Sequence, residues 1–185
     1  MRTFIAIDLD SQLKKNLEAL IDEFRPNGKN IRWVNAEAMH LTLKFLGEIA
    51  DQDVSPIATA LENIVKSYRH FTLKLQGTGV FPPGKKDPRV LWVGVQGDPS
   101  LKVLQEDIES AMEKLGFARE KREFHPHLTL GRVKFPSCLE SLLLELEKRQ
   151  NAAYGEMQVR KVTFFKSTLR PSGAEYSVLS EFQLG

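Results

Sequence analysis

His40-Leu41-Thr42-Leu43 and His127-Leu128-Thr129-Leu130 are two copies of one tetrapeptide. In an extended strand, successive side chains point to opposite faces, so each histidine shares a face with the threonine two positions later. The leucines of each copy then point to the other face, where they can join a hydrophobic core. The repeat predicts two strands that each present one imidazole and one hydroxyl. A half-buried strand would explain one copy equally well, but it explains an unchanged recurrence poorly.

The two copies contain half of the chain's four histidines. If their polar faces meet, they form a site with two proton carriers and two hydroxyl donors. Because histidine changes charge near neutral pH, such a pair can supply one acid and one base to a reacting phosphate. We therefore expect catalytic roles for His40, Thr42, His127 and Thr129.

The composition is that of an ordinary globular protein. Hydrophobic residues make up 42% of the 185 residues and charged residues 27%. The net charge of +2 is too small for a protein that coats duplex nucleic acid, but it suits a partner with a few phosphates. Cys138, the single cysteine, can form no internal disulfide, and no apolar run is long enough to span a bilayer. We expect a cytoplasmic protein with no membrane partner.

Hydrophobic periodicity predicts an alternation of strands and amphipathic helices. Strands are predicted at residues 3–9, 31–34, 40–46, 71–75, 90–95, 127–133, 157–169 and 175–184. One helix is predicted to start with Ser11 as its N-cap and to end before Pro26, and others span about 54–68, 100–115 and 138–149. The proline-rich stretch 81–88 is predicted to be a loop.

Amphipathic strands interrupted by amphipathic helices favour an α+β fold of mainly antiparallel sheet with helices on the outside. Parallel β-α-β winding is the alternative. Positions 40 and 127 are nearly half of the chain apart, which predicts that a unit of strand, helix and strands is duplicated in the two halves of the sequence. Since no flexible linker separates the halves, we expect one domain, residues 1–185, whose two lobes share a cleft.

Around both tetrapeptides the sequence resembles the two-histidine phosphoesterase superfamily, and most closely the bacterial and archaeal RNA 2′,3′-cyclic phosphodiesterases, also called 2′-5′ RNA ligases. The likeness covers nearly the whole chain. One His-x-Thr-x motif is weakly specific, whereas two at this spacing, among these flanking segments, are strongly specific. The segments that carry the resemblance are RTFIAI (2–7), HLTLKFLGE (40–48), GVFP (79–82), RVLWVG (89–94), PHLTLGR (126–132) and STLRPSGAEY (167–176).

The resemblance implies two lobes related by a pseudo-twofold axis, each contributing one motif strand to a central cleft. It implies that His40 is the proton donor and His127 the proton acceptor. The implied substrate is an RNA end with a 2′,3′-cyclic phosphate, which is opened to a 2′-phosphate. The superfamily also includes enzymes that act on small cyclic nucleotides, so either substrate is possible.

Opening a cyclic phosphodiester requires a water on one side of phosphorus and a departing ribose oxygen on the other. An acid and a base must therefore flank the phosphate, each worth on the order of 10²- to 10⁴-fold in rate. The hydroxyls of Thr42 and Thr129 can donate to the non-bridging oxygens. This scheme needs no metal or other cofactor, so none is expected. With a 5′-hydroxyl in place of water, the same geometry would form a 2′-5′ linkage without ATP.

Two further residues of the first motif segment are substrate-binding candidates. In a regular strand Lys44 shares a face with His40 and Thr42, so it can add positive charge to the site; the alternative is a solvated lysine. Phe45 is a candidate for stacking on a base, as is Trp92, although aromatic residues in strands are more often core residues.

Two arginines are also candidates. In a regular strand Arg132 points away from His127, but a bend after Gly131 would return it to the cleft, as a phosphate ligand or a structural ion-pair partner. Arg170 is a candidate for contacts with the RNA backbone. His125 could pair with His127 on a metal, but no carboxylate stands nearby at ligand spacing, so a place at the cleft edge or a structural role is favoured.

Two rival functions stay open. The first is a noncatalytic module that binds RNA ends or nucleotides, and the second is a cyclic phosphodiesterase acting on small nucleotides. Two intact histidine motifs favour an enzyme, since a binding module needs phosphate donors but no acid–base pair. We expect the protein to be a monomer.

Overall fold

The computed structural model describes residues 1–84, 87–171 and 173–185. Within them are nine strands and four α-helices. The strands are β1 Arg2–Asp8, β2 Ile31–Trp33, β3 His40–Glu48, β4 Phe71–Phe81, β5 Val90–Gly97, β6 His127–Val133, β7 Ala153–Val159, β8 Lys161–Arg170 and β9 Gly173–Gln183. The helices are α1 Ser11–Phe24, α2 Val54–Val65, α3 Pro99–Lys114 and α4 Glu140–Lys148. Lys85 and Lys86 of the predicted loop lie outside the described residues.

The strands form two sheets, in the orders β3-β1-β8-β9 and β2-β6-β5-β4-β7. All of the strand pairs seen in the described residues are antiparallel, which confirms the predicted α+β class over parallel winding. The first four-stranded order corresponds to β6-β5-β4-β7 of the second sheet. The motif strands β3 and β6 thus occupy matching positions.

The expectation that each lobe is one half of the sequence is wrong. The first sheet takes β1 and β3 from the start of the chain and β8 and β9 from its end, whereas the second takes the strands between them and β2. The predicted single strand 157–169 is in fact two strands, which separate at Arg160 and join different sheets. Periodicity detects strands but cannot assign their partners, because the pairing is set by distant segments.

Both motif strands contain a β-bulge at the same place. The extra residue is Leu43 in β3, where the register against β1 shifts, and Leu130 in β6, where the register against β5 shifts. A bulge inverts the alternation of faces beyond it. Phe45 and Arg132 therefore return to the face of the histidines, and the residue before each of them turns toward the core.

The helices pack against the sheet faces that carry the buried leucines of the motifs. α1 and α4 lie on the second sheet, α2 lies on the first, and α3 contacts one strand of each, β3 and β5. One hydrophobic core joins the sheets and the helices, and it includes Leu41, Leu43, Leu128 and Leu130. A second, small cluster of Phe4, Ala6 and Phe165 lies on the other face of the first sheet.

The predicted helices are confirmed with small shifts of their ends. α1 is capped by Asp10 and not by Ser11, because the Asp10 carboxylate accepts a hydrogen bond from the Leu13 backbone N–H at 2.8 Å. In the part of the chain that the structure describes, none of the helices combines the length and the apolar character needed to cross a bilayer.

Candidate active site

A cleft of about 990 Å³ lies between the two sheets, and both motif strands line it. His40 and Thr42 of β3 and His127 and Thr129 of β6 all contribute to its wall. The strands approach each other closely enough that some of their Cα atoms are within 8 Å. The four residues of the predicted site are thus brought together.

The two imidazoles are anchored in the same way. Nδ1 of His40 is 2.9 Å from the carbonyl oxygen of Ala38, and Nδ1 of His127 is 2.7 Å from that of His125. A carbonyl oxygen only accepts hydrogen bonds, so each Nδ1 must carry the proton that it donates. Among the described residues neither Nε2 has a hydrogen-bond partner, and each Nε2 is left to exchange a proton with a bound molecule.

The surroundings of His40 are aromatic. Its ring stacks on Phe4 with 4.5 Å between centroids, meets the edge of Tyr176 at 4.9 Å and lies 5.8 Å from the ring of Phe165. Burial lowers the pKa of His40 from its usual value, since desolvation disfavours the charged ring. The Ala38 carbonyl and the charge of Asp8 oppose this shift without cancelling it.

The surroundings of His127 are more open. Phe81 alone among the described aromatic residues is in ring contact with it, edge-on at 5.0 Å. The bond from Nδ1 to the His125 carbonyl is itself exposed. The two lobes therefore hold equivalent, half-buried histidines in unequal environments, one packed against three aromatic rings and the other against one.

The threonines lie on the cleft face, as the alternation predicts. Thr42 and Thr129 are both half-buried and line the cleft. Neither hydroxyl bonds to another described residue, whereas the buried Thr78 donates to the Leu146 carbonyl at 2.7 Å. Both motif hydroxyls can therefore donate to oxygens of a ligand.

The bulges place Phe45 and Arg132 at matching positions of the two lobes. Phe45 is 65% exposed, lines the cleft and lies 5.9 Å from the ring of Phe4. Arg132 is exposed and also lines the cleft. A bend was expected after Gly131. The irregularity lies at Leu130, one residue before Gly131, and it returns Arg132 to the cleft face as expected.

The expected orientation of Lys44 is wrong. The bulge at Leu43 turns Lys44 away from the face of His40, so that it borders the cleft only from a buried position, with 4% exposure. Its Nζ forms an ion pair with Glu109 at 2.6 Å. Lys44 is thus neither solvated nor an uncompensated charge on the cleft wall.

Arg170 is positioned away from the motif strands. It ends β8, pairs with Glu175 of β9 at 3.2 Å and is not among the residues that line the cleft. Trp92 is half-buried beside Phe81, and its indole N–H is buried without a partner in the described residues.

Sequence reasoning missed several other residues of the cleft wall. These are Phe4, Tyr176 and Phe81 around the histidines, Arg89, and residues 118–124, whereas His125, a candidate for the cleft edge, does line the cleft. Some stand within the segments that carry the family resemblance, but their closeness to a histidine depends on pairing between strands that are far apart in the chain.

The charge of the cleft wall is positive after its ion pairs are counted. Glu109 pairs with Lys44, Glu120 with Arg122 at 3.1 Å and Glu123 with Lys102 at 3.6 Å. Hydrogen bonds from Arg122 lower the pKa of Glu120 to about 2, so it stays ionised in this pair.

Three cations of the wall have no acidic partner among the described residues: Arg89, Lys121 and Arg132. Such a wall favours an anionic ligand. No group of three or more histidine, cysteine, aspartate or glutamate residues in the described part of the chain is arranged to hold a metal ion.

The sequence of the whole chain matches known proteins. The RNA 2′,3′-cyclic phosphodiesterase of Thermotoga maritima is 38% identical over 184 residues, which cover 99% of this chain and 95% of the relative. The protein of the same name from Methanothermobacter thermautotrophicus is 32% identical over 184 residues, which cover 100% and 99%.

The fold also matches solved structures. A Thermus thermophilus protein superposes with a TM-score of 0.85 at 27% identity, covering 100% of this chain and 98% of the other. E. coli LigT, crystallised with NADP⁺, superposes with a TM-score of 0.79 at 26% identity, covering 99% and 97%. A profile described as the 2′-5′ RNA ligase superfamily matches residues 13–170. With a profile match over most of its length and relatives above 30% identity from end to end, the chain belongs to the 2′-5′ RNA ligase superfamily.

Proposed function

We propose that this chain is an RNA 2′,3′-cyclic phosphodiesterase, which hydrolyses the cyclic phosphate at an RNA end to a 2′-phosphate. The observation that carries the proposal is the convergence of His40 and His127 on one cleft with each Nε2 unbonded. The relatives that bear this name and match nearly the whole chain support it.

The reaction uses the two histidines as acid and base. Neutral His127 accepts a proton from water through Nε2 as the water oxygen attacks phosphorus. The bond from phosphorus to the 3′ oxygen breaks, and protonated His40 gives its Nε2 proton to that oxygen. The products are a 3′-hydroxyl and a 2′-phosphate, and each proton transfer contributes on the order of 10²- to 10⁴-fold.

The lowered pKa of His40 constrains this assignment. In the free protein burial favours the neutral ring, whereas an acid must be protonated. The negative charge of a bound phosphate favours the charged imidazole and raises the pKa of His40 toward the operating pH. Substrate binding therefore helps to create the acid.

Thr42, Thr129 and Arg132 stabilise the phosphate. The two hydroxyls donate to its non-bridging oxygens, and the guanidinium adds positive charge on the side of His127. Phe45, beside Phe4, offers an exposed ring on which a nucleobase can stack. Lys44, with its buried partner, has no place in this substrate-binding set.

The same chemistry can join two RNA ends. A 5′-hydroxyl takes the place of water and gives its proton to one histidine as it attacks the cyclic phosphate. The bond from phosphorus to the 3′ oxygen breaks, that oxygen takes a proton from the other histidine, and a 2′-5′ bond forms without ATP. RNA with a cyclic phosphate end is the proposed partner, with small cyclic nucleotides as poorer substrates. We place the protein in the cytoplasm as a monomer.

Product analysis tests the proposal. Wild-type protein, His40→Ala and His127→Ala are incubated, in the presence of EDTA, with an RNA oligonucleotide that ends in a 2′,3′-cyclic phosphate. Wild type gives a 2′-phosphate end, and each variant loses at least about 10²-fold in kcat. His70→Ala, at an exposed histidine outside the cleft, is the matched control and keeps full activity.

Three results would contradict the proposal. Binding of the RNA end without any product would favour a noncatalytic module. A 3′-phosphate product would reverse the positions of acid and base relative to the two ribose oxygens. Full turnover by either cleft variant would remove that histidine from the mechanism.

A further inference from the structure

A buried ion pair lies beneath the bulge of the His40 strand. Lys44 Nζ donates to Glu109 Oε2 at 2.6 Å and to the Ala118 carbonyl oxygen at 2.9 Å. Glu109 Oε2 also accepts from the backbone N–H of Glu120 at 3.3 Å. Lys44 and Glu109 are each only 4% exposed. Three parts of the chain, β3, α3 and residues 118–120, therefore meet at one pair of charges.

Gln105 extends this contact to the bulge itself. Its side-chain amide donates to the carbonyl oxygen of Leu43, the inserted residue, at 3.3 Å and to Glu109 Oε1 at 3.4 Å. Gln105 is buried as well. The segment that follows α3 is thus fixed to the same point of β3 that sets the faces of the motif.

Stability alone is a weak reason for such a pair. Removing two charges from water costs free energy that their attraction roughly offsets, so apolar residues of similar volume would stabilise a core as well or better. A charge pair with several hydrogen-bond partners does fix relative positions, because each partner must lie at a set distance and angle. Here the fixed element is the backbone of residues 118–120.

We call residues 118–123 the rim segment, since they line the cleft between α3 and β6. Two of its three cations are occupied, Arg119 with Glu106 and Glu113 of α3, and Arg122 with Glu120. Lys121 has no acidic partner in the described chain. It faces the same cleft as Arg89 and Arg132.

We propose that the Lys44–Glu109 pair is a positioning device that fixes the rim segment at the edge of the cleft, where Lys121 binds a backbone phosphate of an RNA strand upstream of the reacting end. This inference rests on the proposed function and specifies its substrate as a polynucleotide. A cyclic mononucleotide has only the reacting phosphate, so it offers nothing for Lys121 to bind.

Two substrates distinguish the contribution of the rim segment from that of the catalytic residues. One is a 2′,3′-cyclic mononucleotide, and the other is an RNA oligonucleotide ending in the same cyclic nucleotide. Lys121→Gln lowers kcat/KM several-fold on the oligonucleotide alone and reduces the slope of log kcat/KM against log salt by about 0.7, the value for one phosphate contact with a single strand. Lys44→Met/Glu109→Leu, which leaves no unpaired buried charge, lowers kcat/KM roughly tenfold more on the oligonucleotide than on the mononucleotide.

The matched control is Lys74→Met/Glu156→Leu, which removes an exposed ion pair between β4 and β7 and leaves the ratio of the two kcat/KM values unchanged. In wild type, the Glu120 amide exchanges its hydrogen slowly, as expected for a donor to buried Glu109. That measurement tests the positioning step even if the double variant fails to fold.

Equal losses on both substrates in the Lys44/Glu109 variant, or fast exchange of the Glu120 amide, would overturn the positioning role. An unchanged oligonucleotide rate and salt slope in Lys121→Gln would overturn the phosphate contact. Absence of turnover by wild type on either substrate is a different result, because it would refute the proposed function.

Discussion

His40 and His127 differ in the side chains around them and not in how the backbone holds them. Each donates from Nδ1 to the carbonyl two residues earlier, but His40 is packed against three aromatic rings and His127 against one. Burial among these rings lowers the pKa of His40 from its usual value. The aromatic packing therefore provides a way to learn which limb of the pH profile belongs to which histidine.

Tyr176→Ala exposes the His40 ring to water, which weakens desolvation and raises its pKa toward 6.5. If His40 is the acid, activity falls as His40 loses its proton at high pH. The alkaline limb of the kcat/KM profile then moves to higher pH in the variant, while the acidic limb stays. NMR titration of the His40 ring measures its pKa directly.

Val178→Ala, at an exposed position of the same strand, is the control and shifts neither limb. A shift of the acidic limb in Tyr176→Ala would make His40 the base and reverse the assignment.

The threonine hydroxyls are tested by isosteric replacement. Thr42→Val and Thr129→Val keep the shape of the side chain and remove its donor, so each should reduce kcat by about 10²- to 10³-fold, as for other donors to a developing negative charge. Thr59→Val, on the exposed face of α2, controls for the loss of a hydroxyl elsewhere. Unchanged turnover in the double variant Thr42→Val/Thr129→Val would exclude the hydroxyls from catalysis.

At the scale of single strands, the bulges explain where sequence reasoning succeeded and where it failed. Period-two alternation placed His40, Thr42, His127 and Thr129 on the cleft face, because all four precede the inserted leucines. It failed at Lys44, which follows an insertion, since nothing in the residue pattern distinguishes a bulged strand from a regular one.

Arg132 also follows a bulge that the residue pattern does not reveal. The segment that carries the family resemblance ends in this arginine, which favoured a place near the cleft, but regular alternation turned it away from His127. Only a local irregularity reconciles the two, and the register shift against β5 supplies it. Its location at Leu130 depends on cross-strand pairing, which a single strand's sequence does not reveal.

Gly131→Ala tests the bulge in β6. An added Cβ would lie 2.5 Å from Ile31 Cγ2 and 3.1 Å from the ring of Trp33, both on β2. The resulting displacement should cost about 1–3 kcal/mol of unfolding free energy, as overpacking does. Because Arg132 is the next residue, kcat/KM should fall as well. Urea denaturation and steady-state kinetics measure the two effects.

Gly116→Ala separates the effect of lower stability from the effect of moving Arg132. Gly116 follows α3 with φ +91°, and an added Cβ would meet no atom within 4 Å, so an alanine there costs about 1–2 kcal/mol through the backbone alone. It should destabilise the protein to a similar degree and leave kcat/KM intact. Equal losses of activity in both variants would show that instability, and not the position of Arg132, is the cause.

At the scale of the whole molecule, the two lobes are interleaved in sequence. The types and approximate bounds of most helices and strands followed from periodicity, but the assignment of strands to sheets did not. The chain ends meet in the first sheet, where β1 pairs with β8, and such long-range pairing is fixed by packing of the assembled core.

Interleaving predicts cooperative unfolding. One core cluster contains buried residues of both sheets and of all four described helices, so neither lobe can lose its strands alone. Calorimetry should show one transition with an enthalpy of about 130 kcal/mol near 60 °C, from roughly 0.7 kcal/mol per residue. Two resolved transitions, or a calorimetric enthalpy well above the van't Hoff value, would mean that the lobes unfold separately.

The matched carbonyl anchors also bear on what happens between one substrate and the next. After one hydrolysis in the proposed direction, His40 has lost a proton and His127 has gained one. Because both Nδ1 atoms stay bonded to backbone carbonyls, only the Nε2 atoms can return to their starting protonation states. Recharging must therefore proceed through water that re-enters the cleft once it is vacated. Slow release of the product would delay both this proton exchange and the binding of new RNA. Product release is therefore the step expected to limit repeated turnover.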